Sequence, residues 1–139
     1  MAKISSDPKG IEEHILRLLV PQEILASFEL NKIIENDTEL LFDLIEKESC
    51  IPRPLAGKEV VLDGYMNVTT LQSFPQNGKQ CYIHLRRRRW KEKGITDTKA
   101  YHNEYEYTAT GTMATKSFGA FLKRNSLIAI PSHIAQSLQ

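Results

Sequence analysis

The sequence predicts an α+β fold, and three observations predict it. Two short apolar-periodic segments open the chain, at Ile11–Leu19 and Pro21–Leu30. A β-rich region follows, and Asn77-Gly78, a pair that tolerates positive φ in tight turns, divides it into a hairpin. A third helical segment lies near the C-terminus after Thr112 and Thr115, either of which can cap it. The expected arrangement is short N-terminal helices and a hairpin packed on an antiparallel sheet with a basic β-hairpin, closed by a C-terminal helix.

With 139 residues, 41% hydrophobic and 25% charged, the chain has the composition of a globular domain. That length suffices for one core. We expect a flexible N-terminus at 1–10, a single domain at 11–124 and a tail at 125–139. Net charge is only +1, but it is segregated. Residues 1–57 hold six Lys/Arg against eleven Asp/Glu, whereas residues 79–99 hold eight Lys/Arg against two acids. The basic segment therefore calls for an acidic partner, either nucleic acid or the acidic half itself. Cys50 and Cys81 are the only cysteines, too few for a disulfide framework, so a reducing cytoplasmic setting is expected. No signal peptide or membrane-length apolar run is present, and no membrane partner is expected.

The first helix is expected to bury Ile11, Ile15, Leu18 and Leu19, with Glu12 and Glu13 in its first turn. The second has Ile24, Leu25 and Phe28 as its apolar stripe. Lys32–Glu35 and Thr38–Glu46, joined by Asn36-Asp37, read as a hairpin. Leu41, Phe42 and Ile45 would also suit a helix. Pro52 and Pro54 mark 47–57 as a loop, because proline cannot continue a sheet ladder. Glu59–Leu62 is β-prone, and Val68–Phe74 and Lys79–Leu85 should be antiparallel neighbours, with the second arm running on to Trp90. Residues 91–100 read as a loop and 109–113 as a turn. Tyr101–Thr108 alternates aromatic and charged residues and suggests another strand. Phe118, Phe121 and Leu122 mark the last helix, running to Lys123. Leu127–Gln139, broken by Pro131, reads as a tail that docks on a partner.

Arg86-Arg87-Arg88-Arg89-Trp90 is the sharpest signal. Strand alternation would put Tyr82, His84, Arg86, Arg88 and Trp90 on one face and Cys81, Ile83, Leu85, Arg87 and Arg89 on the other. Burying four guanidiniums would require a carboxylate for each. The run should therefore leave the core near Arg86 and meet solvent or a polyanion. Arginine forks match phosphate oxygens. The candidate DNA-binding set is Arg86, Arg87, Arg88, Arg89, Lys91 and Lys93 on phosphate, with Trp90 and His84 on sugar or base. Lys91-Glu92-Lys93-Gly94 would be the basic tip of a ribbon entering a groove of duplex DNA. The competing reading pairs Arg86 and Arg88 with Glu104 and Glu106 on a neighbouring strand. Four arginines outnumber those two acids.

Nothing points to catalysis. There is no Gly-rich phosphate loop, GxSxG or HExxH. His14, His84, His102 and His133 lack ligand spacing, and no cofactor or metal is expected. Asp43, Glu46 and Asp63 read as surface acids. A metal nuclease built on such carboxylates is the weakest of the readings.

The chain resembles the N-terminal region of ISAon-type insertion-sequence transposases over roughly residues 11–124. Leu19-Val20-Pro21-Gln22-Glu23-Ile24-Leu25 with Phe28 is similar to that region's opening. Gly64-Tyr65, Val68–Pro75, Gly78-Lys79 and Tyr82–Trp90 resemble its hairpin ending in RRRRW. Gly111-Thr112, Thr115–Phe118 and Phe121–Lys123 continue the resemblance. It implies a non-catalytic module that reads element ends, with a DDE nuclease domain elsewhere and a catalytic chain as possible partner. The paired cysteines of the wider group's zinc ribbon are absent, so packing must replace metal. A different class of reading is a protein-interaction module, a homodimer among its forms, whose basic hairpin docks on an acidic surface.

Overall fold

The computed structural model describes residues 8–95, 99–109 and 112–128. Its fold is α+β. In chain order it runs α1 (Pro8–Leu19), α2 (Gln22–Leu25), β1 (Phe28–Glu35), β2 (Glu39–Glu46), a 3-10 turn at Arg53–Leu55, β3 (Val60–Tyr65), β4 (Thr69–Gln76), β5 (Lys79–Arg86), β6 (Arg88–Glu92) and α3 (Lys116–Ile128). The first hairpin lies where the turn chemistry puts it. Asn36 Oδ1 accepts from the amides of Thr38 (2.9 Å) and Glu39 (2.7 Å), closing the turn between β1 and β2. Asn77 and Gly78, at φ 51° and 78°, close β4 onto β5.

The main sheet has the order β1-β2-β5-β4, and here the expectation of an antiparallel sheet is corrected. β2 and β5 run parallel, Phe42 beside Ile83 and Leu44 beside Leu85. Two hairpins laid side by side leave their inner strands in the same direction. β3 and β6 form a separate antiparallel ribbon beyond the end of this sheet. One face of the main sheet carries the core, with Phe28, Phe42, Leu44, Leu71, Cys81, Ile83 and Leu85 closed over by Val20 and Ile24.

Other expectations are corrected too. The second helix is one turn long, and Phe28 already belongs to β1. α1 begins at Pro8, so Glu12 and Glu13 lie past its first turn. Among the described side chains of α1, Leu16 and Leu19 pack against the core, while Ile11, Ile15 and Leu18 stay exposed, Leu18 at 72%. Residues 101–108 form no strand of a ladder. Tyr101 bridges Trp90 and Thr108 bridges Thr115, and between them the segment is held by side chains. Thr115 does cap α3, its Oγ1 accepting from Phe118 N at 3.3 Å. Residues 110–111 of the expected turn, 96–98 of the expected loop and most of the expected tail lie outside the described residues.

Candidate nucleic-acid interface

The strand alternation expected through the arginine run breaks at Arg87. β5 buries Cys81, Ile83 and Leu85, whereas β6 buries Arg88 and Trp90. Arg87 falls between the strands, so inward positions pass from odd to even numbers. Its carbonyl accepts from Met66 N (2.9 Å) as the chain leaves the main sheet for the ribbon. One extra residue thus reverses the face of everything after it.

This phase change separates the four arginines. Arg86 is half-buried on the face opposite the core, its guanidinium 5.9 Å from the centre of the Tyr65 ring, and no carboxylate pairs with it among the described residues. Arg87 bonds Glu104 Oε2 (3.0 Å) and the Asn103 carbonyl (3.0 Å). Arg88 is buried, and its Nε donates to the Glu46 carbonyl at 2.7 Å. Arg89 is exposed, bonding the Asp63 carbonyl (2.7 Å) and pairing with Asp63 Oδ2 (3.3 Å). Lys91 lies 3.6 Å from the same Asp63 Oδ2, and Lys93 is exposed past the end of β6.

Three candidates do not stand where the sequence reading put them: Arg87 is half-buried and held by Glu104 and the Asn103 carbonyl, and the other two are Trp90 and Arg88. Trp90 is 7% exposed and its indole N–H is shielded, so its ring meets neither base nor sugar at this surface. Arg88 is occupied within the fold. The competing pairing is corrected as well: Glu104 takes Arg87 rather than Arg86, and among the described residues no ion pair joins Arg88 to Glu106. Asp43 and Glu46 are not surface acids. Asp43 accepts from Asn31 Nδ2 (2.9 Å). Glu46 is fully buried and accepts from Arg88 N (2.9 Å), Asn103 Nδ2 (3.0 Å) and the Tyr105 hydroxyl. Burial, then the hydrogen bond to Glu46, raises the Tyr105 phenol well above its ordinary value. Sequence reasoning missed this cluster because its members are distant in the chain.

Arg86, Arg89, Lys91 and Lys93 therefore remain as the accessible cations at the ribbon and its junction with the sheet. Asp63 serves both Arg89 and Lys91. Tyr65 is exposed beside Arg86. His84 keeps its place on β5, half-buried on the same face as Tyr82 and Arg86. No group of three or more His, Cys, Asp or Glu among the described residues is placed to hold a metal ion. No helix among them is long and apolar enough to cross a membrane. No family model, curated protein or solved structure matches this chain.

Proposed function

We propose that the β3–β6 ribbon and the adjoining end of β5 contact the phosphate backbone of DNA, as a non-catalytic module of insertion-sequence transposase type acting in the cytoplasm. The observation that carries this reading is the surplus of accessible cations there. Among the described residues no carboxylate pairs with Arg86, Arg89 and Lys91 share one, and Lys93 is exposed. Such an array gains affinity by releasing counterions from the duplex. The resemblance to transposase N-terminal regions makes element ends the expected duplex and a DDE-bearing chain the expected companion.

The test is a gel shift with Arg86→Ala/Lys91→Ala/Lys93→Ala beside the parent chain. Removing three phosphate contacts should lower the salt dependence of log K by about 2.7, at roughly 0.9 per contact. Unchanged affinity and slope would refute the reading. Changing all four arginines is not a clean experiment, because Arg88 belongs to the core.

A second reading, self-association, is favoured by the aliphatic side chains Ile11, Ile15, Leu18, Leu30 and Ile33, all left uncovered. Charge segregation between the halves of the chain also suits a basic ribbon docking on the acidic part of another copy. Light scattering with and without duplex separates the readings. A tight dimer indifferent to DNA supports the second.

A further inference from the structure

We propose that the open face of the main sheet binds a short single-stranded stretch of nucleic acid, with bases over Tyr82 and His84 and a phosphate at Arg86. This rests on the reading of the ribbon as a nucleic-acid contact and adds a second, chemically different surface to it.

β5 is an inner strand, so its outward side chains stand in the middle of the open face. Tyr82, His84 and Arg86 are all half-buried there, at alternate positions of one strand. Alternate residues of a strand lie roughly 6.7 Å apart. An extended single strand can match that spacing at one nucleotide per side chain, whereas a stacked duplex holds its bases roughly 3.4 Å apart. Rings on a sheet surface stack unpaired bases whatever their sequence. The Tyr82 hydroxyl is anchored to Gln80 Oε1 at 2.5 Å, which orients that ring. The His84 ring has no hydrogen bond among the described residues.

The neighbouring rows give the strand an orientation. Register places Ile34, Leu41, Tyr82 and Gln72 in one row and Lys32, Asp43, His84 and Thr70 in the next. A groove of about 280 Å³ runs beside the two rings, lined on its β1–β2 side by Ile34, Leu41, Asn36 and Glu39. That side sets aliphatic Ile34 and Leu41 beside Asn36 and the Glu39 carboxylate, and Asp43 stands next to His84 in the adjoining row. The β1–β2 side suits a base, whose exocyclic amino group would meet Glu39, and it repels phosphate. The β4 side offers neutral Thr70 and Gln72, and Arg86 follows at the end of β5. Bases therefore lie toward β2 and the sugar–phosphate chain toward β4, running off at Arg86 and Tyr65 onto the ribbon.

The experiment is fluorescence anisotropy of the full chain with a labelled single-stranded oligonucleotide and with the same strand annealed to its complement. Tyr82→Leu and His84→Ala should each weaken single-strand binding roughly tenfold, as expected for one lost stacking partner. Tyr82→Phe should restore it, and circular dichroism should show each variant folded. If duplex is bound but the single strand is not, or if the Tyr82 and His84 variants bind the single strand like the parent, this inference is overturned while the ribbon reading stands. If neither probe binds, both fail together.

Discussion

Arg86 and Arg88 differ by two positions in the chain and have opposite fates. Arg88 lies in the core with its Nε on the Glu46 carbonyl and its amide on the Glu46 carboxylate. Arg88→Ala leaves that buried carbonyl without its charged donor. It should cost about 1.5–3 kcal/mol in urea denaturation, the range for hydrogen bonds to charged groups. Arg86→Ala removes a half-buried side chain that lies over the Tyr65 ring and makes no ion pair among the described residues, and should change stability by less than about 0.5 kcal/mol. Equal effects would refute the division of the run at Arg87. The buried thiol and phenol make a pH prediction. Burial pushes the Cys81 thiol up from 9.0 to about 11, and Tyr105 is also raised above its ordinary value. The folded state then holds these protons more tightly than the unfolded state. The Cys81 contribution is complete below about pH 9 and is lost as pH climbs toward about 11, whereas the Tyr105 contribution begins to fall only above about pH 10. Urea midpoints measured across that window should fall, and Cys81→Ala should flatten part of the fall.

At the scale of elements, α3 is tied to β4 by two aromatic contacts and to Ala109 by close approach. Gly119 faces Ala109, and a Cβ there would sit 2.3 Å from the Ala109 Cβ. Phe118 and Phe121 stack edge-on against Phe74 at 5.1 and 5.5 Å. Gly119→Ala gains helix propensity but must push the helix off its seat. The expected net cost is about 1–3 kcal/mol, the usual penalty of overpacking. A raised melting temperature in that variant would contradict the seat described here. The β3–β6 ribbon has the opposite character. It has two strands only, and β3 leaves Val61, Leu62 and Tyr65 exposed. Ribbons of that kind are marginal unless something covers them.

For the whole molecule, this asymmetry sets an order of stability. Amides between β2 and β5 sit at the centre of the main sheet above the apolar core. Hydrogen exchange there should report the global unfolding free energy. Ribbon amides, such as Trp90 and Lys93 bonded to Tyr101 and Glu59, should exchange faster by local opening. Addition of nucleic acid should slow the ribbon amides selectively, and an unchanged ribbon would count against contact there.

Local chemistry was legible in the residues themselves. Asn36-Asp37 and Asn77-Gly78 set both hairpin turns, Thr115 capped the last helix, and the alternation of Cys81, Ile83 and Leu85 marked the inner strand. Each of these is decided by side chains within a few positions of one another. The parallel pairing of the two hairpins, the burial of Glu46, and the separation of Arg86 from Arg88 were decided by tertiary structure alone. Each depends on which distant backbone supplies the partner. A guanidinium looks the same in sequence whether a carbonyl 42 positions away meets it or solvent does.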